Sequence, residues 1–320
     1  MSWSDEQFAE WVSEATSQVE ARLRTTIAAG NEFVNKAASY LVDAGGKRLR
    51  PVVVLTVGGL GLESDQADLD ALIRAAIVVE LTHVATLYHD DVMDEAELRR
   101  GTPTAHQRWG NSVAIMLGDY LLARASSVGA TLGEDFMVYH AQAVSRLVQG
   151  QISELRGPKP GSDPLAHYLK VIANKTASLF AACARYGAMF AHLTPVQIEA
   201  LTQFGEHFGT AFQLADDLLD ITSERSGKPV GTDLLQGVPT LVSLLVKSQN
   251  RPEDTRLLSL LSAPVPPNDL EEALCLLRSH PAITQAQSQI HQAATQALYH
   301  LNSFPDQPAT RSLTTLCTQL

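Results

Sequence analysis

The sequence is poor in aromatic residues: Phe, Trp and Tyr make up 6% of its 320 residues. Rings cannot fill a core of this size. Alanine and leucine, 40 and 43 residues or 26% of the chain, take their place, and both are strong helix formers. An interior of small and branched aliphatic side chains points to closely packed helices. No useful length of period-2 alternation is present, so no sheet is expected. Cysteine is scarce too. Cys183, Cys275 and Cys317 are far apart, odd in number and without metal-ligand spacing, which excludes a disulfide framework and a zinc knuckle. Basic residues are few: 24 against 35 acids, a net charge of −11. That balance excludes general nucleic-acid binding and a polybasic membrane contact. No run of 18 uninterrupted apolar residues occurs, so no membrane-crossing helix is expected. The first residues, MSWSDEQFAEWVSE, are acidic and amphipathic and lack the basic-then-apolar pattern of a signal peptide. The expected location is the cytoplasm. Walker A, GxGxxG, GxSxG and HExxH motifs are absent, so the chemistry need not use a protein nucleophile or an organic cofactor.

What is present is helical periodicity. Helices are expected over 4–29 and on to about 43, where Gly45-Gly46 supplies a stop signal. The segment GGKRLRP follows, with Pro51 suited to a first helical turn. Residues 68–94 hold no Gly or Pro and read as one long helix. Further helices are expected over 111–131, 134–156, 165–191, 195–222 and 239–249. Connectors are expected at 99–103, 157–164, 226–239 and 263–269. Length alone suggests two domains, but the uniform pattern favours one all-α domain, residues 1–320.

Two acidic clusters stand out. The chain contains Asp90-Asp91-Val-Met-Asp94 and Asp216-Asp217-Leu-Leu-Asp220. With 18 aspartates in 320 residues, one such DDxxD pattern is expected by chance roughly 0.06 times. On a helix, Asp90 and Asp94 share a face, as do Asp216 and Asp220. Like charges at that spacing destabilise a helix by about 0.2–0.5 kcal/mol per pair. Both clusters also end apolar stretches, where a bare carboxylate is costly. A single cluster could be a solvated acidic helix end. Two alike in similar settings point to hard divalent cations, and Mg²⁺ held by carboxylates and substrate phosphates fits best. Gln213, three residues before Asp216, lies on the same stripe, and His83 lies two turns before Asp90.

Bases stand near the acids. Lys47 and Arg50 lie in the loop after Gly45-Gly46, Arg99 and Arg100 just beyond the first cluster, and Lys175 and Lys228 on either side of the second. Singly, each would be a surface charge. Together with the carboxylates they suggest a polyanion, and a diphosphate matches: Arg offers a planar fork to phosphate oxygens and Lys a mobile point charge.

These residues resemble the all-trans polyprenyl diphosphate synthases. The resemblance runs from GGKRLRP at 45–51 through ELTHVATLYHDDVMDEAELRRGTPTAH, GDYLLARAS, NKTASLF, GTAFQLADDLLDIT and GKPVGTDL to GVPTLV at 237–242. The wording around the first cluster is similar to actinobacterial long-chain members. The last seventy residues match only in helical character. The resemblance implies an all-α bundle around a deep central cavity, usually a homodimer. It implies Mg²⁺-assisted ionisation of an allylic diphosphate (dimethylallyl, geranyl, farnesyl or geranylgeranyl) and head-to-tail attack by isopentenyl diphosphate. By motif position Asp90 and Asp94 would be metal ligands with Asp91 behind them, and Asp216 a ligand backed by Asp217 and Asp220. Arg99, Lys175 and Lys228 would touch the allylic diphosphate. Lys47, Arg50, His83 and Arg100 would hold isopentenyl diphosphate, and Thr176 and Gln213 would line the reacting end. One departure is Val238, which stands where many members carry Lys.

Product length is read near the first cluster. In the family an aromatic side chain about five residues before it stops elongation; here Ala85 and Thr86 stand there. The segment GDYLLARASSVGA adds Ala125, Ser126, Ser127, Gly129 and Ala130, also small. A product of C20 or longer is expected. Alternatives are a C20 product, a class I terpene cyclase, which usually has a different second cluster, and a silent partner subunit, which typically loses a cluster.

Overall fold

The computed structural model describes residues 3–28, 30–62, 67–222 and 230–320. The described chain is all-α. In order the helices are α1 (Asp5–Ile27), α2 (Glu32–Asp43), α3 (Leu49–Gly58), α4 (Leu69–Met93), α5 (Ala105–Trp109), α6 (Asn111–Gly129), α7 (Glu134–Arg156) and α8 (Pro164–Ile172). They continue with α9 (Ser178–Phe190), α10 (Pro195–Thr222), α11 (Thr232–Gln236), α12 (Leu241–Gln249), α13 (Thr255–Leu260), α14 (Leu270–Arg278), α15 (Ala282–Tyr299) and α16 (Pro308–Thr318). The expected connector at 99–103 is a two-residue hairpin instead, Leu98–Arg99 paired with Thr102–Pro103. Arg100 and Gly101 both take positive φ, the tight turn such a hairpin needs. The helix expected over 165–191 is broken into α8 and α9 by a wider turn at Ala173–Ala177. Part of the connector at 226–239 coils into α11.

The chain forms two compact units. One comprises Met1–Val144, Leu179–Gly205 and Leu301–Thr315, and the other Ser145–Ser178, Glu206–His300 and Leu316–Leu320. In the first, α4 packs against α1, α3, α5 and α6. Its start is capped by the Asp68 side chain, which accepts from the Ala71 N–H. Because partners surround it, α4 is apolar on most sides, with Val78, Val79, Leu81 and Ala85 fully buried. This explains why α4 is long and apolar enough to pass as a membrane span; Asn111–Leu132 also passes, and counting uninterrupted apolar runs missed both. The α4 window is 78% buried within the protein and the other 33%. The aromatics that exist are concentrated: Phe136 and Tyr186 lie 4.4 Å apart beside His140.

The turn before α3 depends on Arg48. This residue takes the left-handed conformation, a strained choice for a side-chain-bearing residue, and is buried. Its guanidinium donates to Glu20, to Glu80 at 2.9 Å and to the Val42 carbonyl at 2.8 Å. Gly46 sits against it with φ +147, and a Cβ there would meet Arg100 and Arg48 at 2.9–3.1 Å. Only glycine both permits that backbone and clears both guanidiniums.

The second unit has its own apolar core, including Ile172, Leu214, Ile221, Val242, Leu257, Leu277 and Ile290. A partly buried ionic knot lies in the same unit. Arg251 binds Asp254 through Nε and Nη2, both at 2.8 Å, and His280 Nε2 lies 3.0 Å from Asp254. The Arg251 hydrogen bonds hold Asp254 well below the usual carboxylate range.

His140 sets a pH limit on the first unit. Nε2 lies 3.4 Å from Thr82 Oγ1, which itself donates to the Val78 carbonyl, and Nδ1 lies 3.0 Å from Tyr186 Oη. These partners suit a neutral ring, and burial pushes its pKa down from 6.5 to about 4. A histidine kept neutral by folding contributes fully above pH about 6.5 and progressively less as pH falls towards 4. Urea unfolding across that window is expected to lose about 3 kcal/mol from this group, and His140→Phe is expected to flatten that slope.

Candidate active site

The first acidic cluster closes α4. Asp90 and Asp91 lie in its last turn and Asp94 is the cap residue, with no base in that turn. Helix C-termini favour cations, so three carboxylates there are at a disadvantage that a metal would reverse. The three are not equivalent. Asp91 is fully buried, Asp90 half-buried and Asp94 exposed. Asp91 Oδ1 accepts from Arg99 Nε at 2.7 Å, while Oδ2 is buried with no partner. Burial raises the Asp91 pKa although Arg99 opposes it.

Around the same helix a cationic pocket forms. Burial, and then the charges of Arg50, Arg100, Arg99 and Arg48, push His83 well below its usual value, so the ring is neutral among guanidiniums. Arg50 lies 4.8 Å over the Phe180 ring, and its Nε is buried without a partner. Arg100 donates to the Leu41 carbonyl at 2.5 Å. Lys47 is exposed in the preceding loop. Glu80, buried on α4, is the anion facing this group through Arg48. Four arginines against Glu20, Glu80 and Asp91 leave one surplus positive charge, and an unpartnered Arg50 Nε, for a ligand anion.

The second cluster lies near the end of α10, again with no base in the last turn. Asp216 is exposed, Asp217 buried and Asp220 half-buried. Asp217 accepts from Tyr168 Oη at 2.5 Å and Gln213 Nε2 at 2.9 Å, and burial raises its pKa to about 6. Asp220 Oδ2 accepts from the Asp233 N–H at 3.2 Å, fastening the start of α11. Thr176 Oγ1 donates to Gln213 Oε1 at 2.9 Å. Lys175 Nζ is paired with Glu154 at 2.5 Å.

The predicted residues therefore fall into two groups. One gathers His83, Arg50, Arg99, Arg100 and Asp91; the other gathers Thr176, Gln213, Asp217 and, beside them, Lys175. Lys228 lies outside the described residues. Ala85 is fully buried and Thr86 partly so, its hydroxyl bonded to the His83 carbonyl. Among the small residues of α6 and the turn after it, Ala125 and Gly129 are buried, whereas Ser126, Ser127 and Ala130 are exposed. Val238 is exposed, with its N–H on the Asp233 carbonyl. Sequence reasoning missed Arg48, Glu80, Gln151, Glu154 and Tyr168. A lone Glu in the run AAIVVELTHV was a readable signal, since a charge there needs a partner. Gln151 is buried with neither amide atom partnered. Nothing local marked Tyr168.

Among the described residues no group of three or more Asp, Glu, His or Cys converges on one point. That does not conflict with magnesium, which is commonly held by one or two carboxylates, with waters and phosphates completing the shell. The donor set is all oxygen, with half-buried Asp90 and exposed Asp94 and Asp216, and such carboxylates fit a hard divalent cation.

A family model described as polyprenyl synthetase matches residues 31–277. Nonaprenyl diphosphate synthase of Mycobacterium tuberculosis is 42% identical over 315 residues, 98% of this chain and 93% of that one. A crystal structure of geranylgeranyl pyrophosphate synthase from Corynebacterium glutamicum, complexed with calcium and isoprenyl diphosphate, superposes with TM-score 0.87 and 37% identity, covering 100% of this chain and 98% of that one. A polyprenyl synthase from Caulobacter crescentus, with the same ligands, gives 0.87 and 31%, covering 99% and 97%.

The burial pattern predicts opposite effects within each cluster. In metal-free urea unfolding, Asp91→Asn and Asp217→Asn are expected to lose about 1–3 kcal/mol each, because a buried partner is stranded. Asp94→Asn and Asp216→Asn are expected to be neutral or to gain up to about 0.5 kcal/mol from relieved repulsion.

Proposed function

The chain belongs to the polyprenyl synthetase family and condenses isopentenyl diphosphate with an allylic diphosphate to an all-trans polyprenyl diphosphate; we propose that its product exceeds C20. The observation that carries this is Ala85, fully buried on α4. Five residues before Asp90 is about 7.5 Å along the helix, where a growing chain anchored at the first cluster would pass. A methyl group there leaves room that a ring would take. The 42% identity to a nonaprenyl synthase supports the same reading.

Family membership implies dependence on a divalent metal. We assign it as Mg²⁺, held by Asp90 and Asp94 and by Asp216, with Asp91, Asp217 and Asp220 behind them. When bound, it neutralises the diphosphate and eases its departure. The chain's own residues do the rest. Arg99 and Lys175, and Lys228, carry charge on the allylic diphosphate. Lys47, Arg50, Arg100 and neutral His83 hold isopentenyl diphosphate; a neutral imidazole can donate one hydrogen bond without adding charge. Thr176 and Gln213 present oxygens to the developing allylic cation, where pre-oriented dipoles lower the barrier most. For Lys175 to reach a phosphate it must leave Glu154. A homodimer completes the reading. The stripe Val148, Ile152 and Leu155 on α7 is exposed, apolar surface a second copy would cover.

A second reading, a C20 product, is favoured by the 37% identity to the Corynebacterium enzyme. Sizing the products from isopentenyl and farnesyl diphosphates separates the two. The unsubstituted chain is expected to pass C20 and Ala85→Phe to stop at or below it. A native product that halts at C20 would favour the second reading, and a length distribution unmoved by Ala85→Phe would remove the role given to that position.

A further inference from the structure

The wide turn Ala173–Ala177 carries Lys175 and Thr176, and its backbone departs from α-helical bonding: the Ser178 N–H bonds back five residues to the Ala173 carbonyl. Such a turn is not self-supporting in the way an α-helix is. The Ser178 hydroxyl closes onto the Asn174 carbonyl at 2.5 Å. The main support comes from α7. Arg146 Nη2 donates to the Ala173 carbonyl at 3.1 Å and Nε to Asn174 Oδ1 at 2.9 Å. Both remaining faces of the guanidinium are held by Glu206 on α10, through Nη1 to Oε2 at 2.8 Å and through Nη2 to Oε1. One turn along α7, a Cβ on Gly150 would lie 2.5 Å from the Lys175 nitrogen, so helix and turn are in direct backbone contact. One further turn on, Glu154 takes the Lys175 ammonium. Residues 146, 150 and 154 thus follow the turn residue by residue, at the i, i+4 spacing of one helix face. Glu206 in turn stands two helical turns before Gln213, the residue that receives the Thr176 hydroxyl.

We propose that Arg146, held by Glu206, is a positioning residue for the allylic end of the reaction: it fixes the wide turn so that Lys175 and Thr176 are presented together. The bidentate carboxylate sets the plane of the guanidinium, and the plane sets where Nε and Nη2 meet the turn. Neither Arg146 nor Glu206 touches substrate in this role. The inference rests on the reading that Lys175 and Thr176 serve the allylic substrate.

Steady-state kinetics on the full-length protein tests it, with separate KM values for farnesyl and isopentenyl diphosphates. Arg146→Gln is expected to lower kcat/KM for the allylic substrate by about tenfold or more, as misplacement of reacting groups does, and to leave the isopentenyl diphosphate KM within about twofold. Arg146→Lys, which keeps the charge but loses the fork, is expected to recover only part of the loss. Asn174→Ala removes one grip and leaves the Arg146–Glu206 pair intact; it is expected to shift the same KM in the same direction, and it serves if Arg146→Gln does not fold. Equal losses for both substrates, or none, in a folded variant overturn the proposal. Lys175→Ala is the control for the reading beneath it. If that change also leaves allylic kinetics untouched, both fall; if it is damaging while Arg146→Gln and Asn174→Ala are silent, only the positioning role falls.

Discussion

A carboxylate buried at the end of an apolar helix is the constraint on which each acidic cluster depends. In both DDxxD segments it is the second aspartate that turns inward. Asp91 is anchored by Arg99, and Asp217 by Tyr168 and Gln213. Burial is costly to each, as their raised pKa values show. What it secures is direction. Beside the pegged carboxylate, Asp94 and Asp216 are exposed and Asp90 is half-buried, while Asp220 is half-buried and tied to the Asp233 N–H. One peg is ionic and the other a neutral hydroxyl and amide, so the two clusters bury their second aspartate by different chemistry.

The cationic pocket beside α4 obeys a related rule. Arginines crowded together repel, and burial first, with their field second, keeps His83 neutral. Arg48 and Glu80 resolve part of the conflict by burying an ion pair beneath the pocket, and the same contacts hold the glycine turn that presents Lys47 and Arg50. A buried pair of this kind is weak evidence for net stability but strong evidence for fixed geometry. The surplus charge that remains suits a diphosphate, and under the proposed assignment it would let a chain with net charge −11 bind a polyanion.

Much of this was legible in the sequence because its signals are periodic. The helices at 68–94, 111–131, 134–156 and 195–222 follow from unbroken apolar stripes. The clusters follow from i, i+4 carboxylates in apolar settings, and the function from the ordered motifs around them. The break at 173–177 was not legible, since ANKTA carries no Gly or Pro; it is held open by Arg146, 27 residues earlier. The inward turn of Asp91 and Asp217 was implied only by family resemblance, because two adjacent aspartates look alike until their neighbours are placed. Tyr168, 49 residues from Asp217, shows why: the partner comes from tertiary packing that no local pattern encodes.

The division of labour within the clusters is tested most directly by the melting temperature of Asp94→Asn/Asp216→Asn, with and without Mg²⁺ and an unreactive allylic thiolodiphosphate. Ligands that bind only the folded state raise it by mass action. The unsubstituted protein is predicted to gain stability from metal and analogue together. The double variant should keep its metal-free midpoint and lose that gain. Full retention of the metal-dependent gain, or collapse of the metal-free midpoint, would contradict the assignment of the outward aspartates to metal and the inward ones to structure.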